Sequence, residues 1–256
     1  MSMANTHHSE SATASRELLN QLLGPTQPVW KRETRMIAAM TASGSTTLGD
    51  DTSGALGNDL DAALLQHLRQ WSDVVLVGAR TVTKENYGPV LIPDEVRQAR
   101  LNDGQLPCPR LAIPTRSLSL SSDARIFDDA QQPPFLLVPD AVLRDPAKEA
   151  DQERLKAAGA VLINSGDGSP RSIIATLHAH GLARIVCEGG PGIYGGLIAN
   201  GLIDAVHLTI DPHLTVPVPK PLVTPWPETE PISQEMKMEF SYAGEDSMLF
   251  IRYRIL

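Results

Sequence analysis

Short apolar runs alternate with amphipathic stretches through most of the chain, in the rhythm of a strand–helix repeat. Residues 74–78, Phe135–Val138 and residues 185–187 are almost continuously apolar, the pattern of strands covered on both faces. Residues 34–42, Arg110–Pro114, Val161–Asn164 and residues 205–210 read as further strands. Helices fall between them. Asn58 or Asp59 opens one that carries Leu60, Leu64, Leu68 and Trp71 on one face. Residues 94–101 form a second, Asp145-Pro146 opens a third that Gly159 closes, and Ser169-Pro170 opens a fourth that Gly181 closes. Pro191 and Gly201 bracket a fifth. Ahead of all this, residues 1–14 are small and polar, as expected of a disordered extension, and Ser15 caps a short helix bearing Leu18, Leu19, Leu22 and Leu23. After a proline-rich loop, residues 236–242 and 248–254 read as a hairpin around Ala-Gly-Glu-Asp. The predicted fold class is α/β: a doubly wound, mostly parallel sheet with a C-terminal antiparallel hairpin. No internal repeat or long linker divides the chain, so the expected organisation is an extension over residues 1–33 and one domain over residues 34–256.

Ligands of such sheets bind beyond the carboxyl ends of the strands. Three polar segments follow strand ends, after Ala42, Gly78 and Cys187, and their convergence would make one cleft. The last is the most informative. Its strand ends in Glu188, and five glycines (Gly189, Gly190, Gly192, Gly195 and Gly196) then fall within eight residues. The helix that Pro191 opens offers free backbone N–H groups to an anion. One pair of glycines would imply only a tight turn; five beside a carboxylate favour a phosphate-bearing ligand. Gly190 to Gly195, including Ile193 and Tyr194, also matches G-x-G-x-x-G, with Asp211 at the distance of a ribose-binding acid. A dinucleotide-binding half normally opens its domain, however, whereas here one hairpin remains and Pro212 follows Asp211 directly. The expectation is therefore pyrophosphate binding without the ordinary Rossmann arrangement.

Charge and motif content narrow the chemistry. The 30 carboxylates outnumber 22 lysines and arginines, for a net charge of −8, which argues against nucleic acid or an anionic membrane as the main partner. No apolar run approaches the roughly 18 residues of a membrane span. Cys108 and Cys187 suit reduced thiols in a cytoplasmic protein, and the first ten residues carry no export signal. Asp51-Thr-Ser-Gly54 lacks the apolar strand and second copy of an aspartic protease, no G-x-S-x-G elbow occurs, and His178 and His180 point to different helix faces. The zinc-deaminase pattern is missing as well. Neither metal catalysis nor covalent hydrolysis has its usual support, and no metal is expected. Arg69, Arg80, Lys84 and Arg116, taken singly, each read more readily as solvated surface charge than as a ligand contact. Arg116-Ser117, just past a strand end, also offers a guanidinium grip for a 2′-phosphate, which would favour NADPH over NADH.

Two blocks carry a family resemblance. Glu188-Gly-Gly-Pro, with Gly195-Gly196 and then Asn200-Gly-Leu-Ile-Asp-Ala-Val-His-Leu-Thr-Ile210, resembles the reductase domain of the riboflavin-pathway deaminase/reductase RibD. Asp73-Val-Val-Leu-Val-Gly-Ala-Arg-Thr-Val-Thr-Lys-Glu-Asn-Tyr-Gly-Pro89 is similar to the same family's D-x-x-L-V-G-x-x-T-V-x-x-[DE]-N segment, and the likeness extends over roughly residues 34–256. The resemblance implies a dihydrofolate reductase-like fold, a stand-alone reductase without the deaminase, and a homodimer. It implies NADPH contacts at Thr81, Glu85 and Gly190–Gly196, an acid beside the substrate at Glu188, a grip on the substrate phosphate at Arg69, and a substrate contact at Ser53. The implied reaction delivers hydride to the ribosyl C1′ of an aminopyrimidine phosphate, as in 5-amino-6-(5-phosphoribosylamino)uracil reduction. This sequence departs from the pattern at Ser43, where the family has an acid, and at Ala55, where it has a tryptophan. Those departures bear on the substrate more than on the cofactor. They keep open a dihydropterin reductase and a non-catalytic NADP-binding protein.

Overall fold

The computed structural model describes residues 16–49, 54–227, 230–244 and 246–256. A helix over residues 16–23 (α1) precedes β1 (Glu33–Thr41), and α2 (Asp59–Trp71) leads into β2 (Val74–Leu76). Next come α3 (Ala79–Lys84), α4 (Asp94–Asn102), β3 (Arg110–Pro114) and β4 (Phe135–Val138). The chain continues through α5 (Asp140–Leu143), α6 (Glu149–Ala157), β5 (Val161–Asn164), α7 (Pro170–Ala179) and β6 (Arg184–Cys187). It ends with α8 (Pro191–Ala199), β7 (Ala205–Asp211), β8 (Met236–Ala243) and β9 (Leu249–Ile255). The expected Ser15 cap and residues 1–14 lie outside the described residues.

The nine strands form one sheet in the order β5-β4-β3-β2-β6-β1-β7-β9-β8. All pairs from β5 to β7 are parallel, and β9 and β8 add antiparallel at the far edge. Alternate side chains of each strand go to opposite faces, so two cores result. Val75, Val77, Leu111, Ile113, Leu136 and Val186 meet Leu64, Leu68 and Trp71 of α2 on one face. Val74, Leu76, Ala112, Leu137, Ile185 and Cys187 meet α7 and α8 on the other. Covering both faces is why these strands read as unbroken apolar runs. Leu22 and Leu23 of α1, placed in the extension by sequence, belong to the first core. Arg35 donates to the Leu23 carbonyl at 2.6 Å and to Pro25 at 2.9 Å, and Arg252 to Leu22 at 3.0 Å, so two sheet arginines close the carbonyl end of α1.

One feature of the order positions the site. The chain leaves β1, skips a place, and lays down β2 to β5 outward before β6 returns to fill the gap between β1 and β2. Asp73 fixes that insertion, accepting from the Ala183 and Arg184 amides at 2.9 and 2.8 Å. The carboxyl end of β6 is therefore flanked by the ends of the two strands whose polar sequels were expected to converge with it.

Several local expectations need correction. The segment after Gly78 was read as merely polar, yet its first half is α3. Asp145-Pro146 does not open the long helix: it forms a separate 3₁₀ turn, Pro146–Lys148, with Asp145 accepting from Ala147 at 2.9 Å, and α6 starts at Glu149. β2 stops at Leu76 rather than residue 78, because the Gly78 amide turns to the Gly189 carbonyl at 2.7 Å.

Candidate active site

The turn after β6 is shaped by side chains that glycine lacks. Gly189 has φ +96°, and a Cβ there would lie 3.0 Å from the Tyr194 ring. A Cβ on Gly190 would lie 2.6 Å from the Thr81 hydroxyl. Pro191 at the first position of α8 fixes the helix start, and Ile193 and Tyr194 already bond back to the Gly190 carbonyl. The turn thus presses against the start of α3, and the two segments build a common floor.

Two cavities meet on that floor, sharing Thr81, Gly190, Pro191 and Lys220. One is an elongated groove of about 650 Å³ over the ends of β2 to β5, lined by Arg80, Lys84, Arg116, Ser117, Gly192 and Ile193 among others. The other is a chamber of about 380 Å³ against β1 and α2, lined by Leu56, Asp61, Leu65, Arg69, Glu85, Tyr87 and Glu188. The proline-rich segment after β7 closes the groove from above. Thr46 donates to the Lys220 carbonyl at 2.8 Å, Ser45 bridges Pro221, and Thr224 donates to Pro191 at 3.2 Å. This strap places Lys220 over the junction, 3.9 Å from Glu85.

Glu188 is buried at the chamber wall and fully engaged. Arg69 reaches it from α2 with two parallel bonds of 2.7 Å, and the Tyr87 hydroxyl donates to the same carboxylate. Arg69 also donates to the Tyr87 oxygen at 3.0 Å. Burial alone would lower the Arg69 pKa, but attraction to Glu188 and the hydrogen bonds outweigh it, and the guanidinium is held above its ordinary value. Burial, then the charge of Glu188, push the Tyr87 hydroxyl well up. Two of the Arg69 nitrogens thus serve Glu188. Neighbouring Cys187 carries no thiolate chemistry, since burial pushes it up to about 12.

The residues singled out from sequence divide as follows. Arg69, Thr81, Glu85, Glu188 and Gly190 meet at the chamber, and Thr81, Arg116, Ser117, Gly190, Gly192 and Ile193 line the groove. Tyr194 reaches the chamber but is buried, its hydroxyl donating to the Ile37 carbonyl at 2.5 Å. Gly195 and Gly196 line neither cavity. A Cβ on Gly195 would fall 1.9 Å from the Thr224 carbonyl, and one on Gly196 2.7 Å from Trp226, so both are glycine because the strap lies on α8 there. Ser53 lies outside the described residues. Sequence reasoning missed Asp61, Tyr87 and Lys220. Tyr87 was within reach, as the aromatic inside the recognised 73–89 block; Lys220 gave no local signal. Among the described residues no group of three His, Cys, Asp or Glu is placed to hold a metal, and no helix is long and apolar enough to cross a membrane.

A curated relative, the 2,5-diamino-6-ribosylamino-4(3H)-pyrimidinone 5′-phosphate reductase of Archaeoglobus fulgidus, is 27% identical over 152 residues, covering 59% of this chain and 67% of its own. The crystal structure of a pyrimidine reductase-like protein from Corynebacterium diphtheriae is 27% identical with a TM-score of 0.80, over 94% of this chain and 98% of that one. RibD of Acinetobacter baumannii shares the fold at 16% identity and a TM-score of 0.68, with 89% of this chain spanning 59% of that chain. The family model of the RibD C-terminal domain matches residues 34–215, and the chain belongs to that family.

Proposed function

We propose that this chain is an NADPH-dependent reductase of a ribosylaminopyrimidine 5′-phosphate in riboflavin biosynthesis, acting at the ribosyl C1′. The observation that carries the reading is the junction of a long groove and a compact chamber over one glycine floor. That shape suits a dinucleotide lying along the groove with its reactive ring at the chamber mouth. The residues present fit such a cofactor. Gly190 is the cradle that a Cβ would fill against Thr81, and the nine-residue helix α8 aims its open N-terminus at the groove. Arg80 and Arg116 supply positive charge along it, and Arg116-Ser117 would hold the 2′-phosphate that distinguishes NADPH from NADH.

When bound, the nicotinamide supplies a hydride. The protein's own part is orientation and exclusion of water. Glu188, clamped by Arg69 and Tyr87, forms a fixed acceptor wall at the chamber. Its oxygens already take three donors, so it orients substrate rather than donating a proton. The names of the two 27%-identical relatives support a pyrimidine substrate. We also infer a homodimer of a cytoplasmic enzyme; the open edge of β8, with Met236 and Met238 exposed, supports self-association. Sedimentation of the purified chain tests the dimer, which a monomer at micromolar concentration would exclude.

The activity is tested by following NADPH oxidation with each ribosylaminopyrimidine phosphate. Turnover that falls with Glu188→Gln, at little cost in NADPH affinity, is the expected result. A protein that binds NADPH yet oxidises none of it across these substrates is not this enzyme.

A further inference from the structure

The strap between β7 and β8 is held without a core of its own: no residue from 212 to 227 is fully buried. Backbone bonds tie it to two different walls. On the chamber side, the Lys220 carbonyl accepts from the Thr46 amide at 2.8 Å and from the Thr46 hydroxyl at 3.2 Å. Leu222 adds a bond to the Gly44 carbonyl at 3.2 Å. On the groove side, Thr224 donates to Pro191, the first residue of α8, at 3.2 Å. Pro217, Pro219 and Pro221 stiffen the stretch around Lys220. A stiff segment with so little burial is among the first to open locally.

Lys220 is where this strap meets both cavities. Of the four described residues common to groove and chamber (Thr81, Gly190, Pro191 and Lys220), it alone carries charge. Its ammonium stands 3.9 Å from Glu85, too far for a hydrogen bond, so that pair takes none of its three donors. The same junction holds the N-terminal end of α8, where Gly190 brings no side-chain cap. The family match ends at residue 215, so Lys220 lies outside the matched domain.

Resting on the reductase reading, we propose that Lys220 couples the two sites: it takes a phosphate at the junction and, through the strap, makes cofactor and substrate tighten each other. A dinucleotide brings a pyrophosphate to the groove, and a ribotide brings a 5′-phosphate to the chamber. Two such anions repel across a shared junction, and one ammonium beside both offsets the repulsion. The first phosphate to arrive draws Lys220 from Glu85 and holds the strap down. The second ligand then meets a wall already ordered, and its own binding no longer carries that entropy cost. Pro219, Thr224 and Trp226 of the strap line the groove, while Thr46, bonded to Lys220, lines the chamber, so each site senses the closure.

The test is calorimetric binding of NADP⁺ and of ribose 5-phosphate, each alone and with the other saturating, so that no turnover occurs. Each ligand is expected to tighten the other by the same factor, about 5- to 150-fold, the usual range of coupling between sites. Lys220→Gln is expected to bring that factor to one or below, and Lys220→Arg, which keeps the charge, to preserve it. Titrations with one ligand identify the phosphate. Lys220→Gln weakens NADP⁺ if the ammonium meets the pyrophosphate, and ribose 5-phosphate if it meets the sugar phosphate; a loss for neither overturns the proposal. So does an uncoupled native chain, an unchanged factor in Lys220→Gln, or its loss in Lys220→Arg. Coupling through Lys220 without NADPH oxidation by any ribosylaminopyrimidine phosphate leaves the proposal in place and removes the reductase. Turnover without coupling does the reverse.

Discussion

Glu188 and Asp61 are carboxylates of one chamber in opposite surroundings. Glu188 is clamped by a guanidinium and a phenol, whereas among the described residues the Asp61 carboxylate has one neutral donor, Thr209. Burial penalises both charges, so burial does not separate their roles; the partner does. Glu188 has exchanged its hydration for fixed protein donors and presents a rigid acceptor surface to the chamber. Asp61 has lost hydration without full replacement, and its pairing capacity is available to a ligand.

The comparison is most sharply broken at Glu188. Replacing it by Gln leaves the Arg69 guanidinium buried without its counter-charge, and a loss of about 3–5 kcal/mol is expected, the cost of breaking a buried pair from one side. Urea unfolding of the variant measures it, and a loss below 1 kcal/mol would mean that the clamp is not structural. Next in size is Gly195→Ala. An alanine would ordinarily favour a helix by about 0.5–1 kcal/mol over glycine, but its Cβ meets the Thr224 carbonyl at 1.9 Å. Overpacking costs about 1–3 kcal/mol, so the strap is expected to lift and NADPH binding to weaken; tighter binding with a raised melting temperature would contradict this.

Asp61→Asn should move stability in the other direction. Its folded-state pKa is raised, so the native chain holds a proton that the unfolded chain releases once pH exceeds the ordinary carboxylate value. Native stability therefore declines as pH rises through the window from that value to the folded pKa. Asn, which does not titrate, removes the decline, and the variant is expected to be the more stable at neutral pH. Parallel pH–stability curves for the two proteins would show that Asp61 carries no such penalty. The smallest effect is expected at Arg116, which is exposed and screened by salt. Arg116→Ala should weaken NADPH by roughly tenfold or less, with NADH hardly changed. Equal losses for both cofactors would place the 2′-phosphate elsewhere.

Local patterns in the sequence were readable where a rule acts within a few residues. Ser169 caps α7 by accepting from Ser172 at 3.2 Å, and Pro191 opens α8 where expected. Gly201 closes that helix with φ +63°. The central strands β2, β4 and β6 were legible because each is buried throughout and carries its apolar run intact. Misreadings arose where side-chain identity gave no clue to distance. The Arg69 clamp on Glu188 was not foreseen, because the two are 119 residues apart. Gly195 and Gly196 looked like part of a phosphate turn, because the strap that excludes their side chains lies about 30 residues on, in a segment read only as a proline-rich loop.

The sequence by itself determined the strand–helix alternation, the acid-then-glycine turn and the family. The first two depend on backbone propensity, capping and apolar periodicity, which are local, and the family rests on resemblance in two motif blocks. Only the tertiary structure decided that β6 returns between β1 and β2, bringing Glu188 and Gly190 to the middle of the sheet. It alone decided which acid would acquire a cation and which would not. Partners across a parallel sheet are chosen by packing and register, and no spacing along the chain encodes whether a buried carboxylate meets a guanidinium or a threonine.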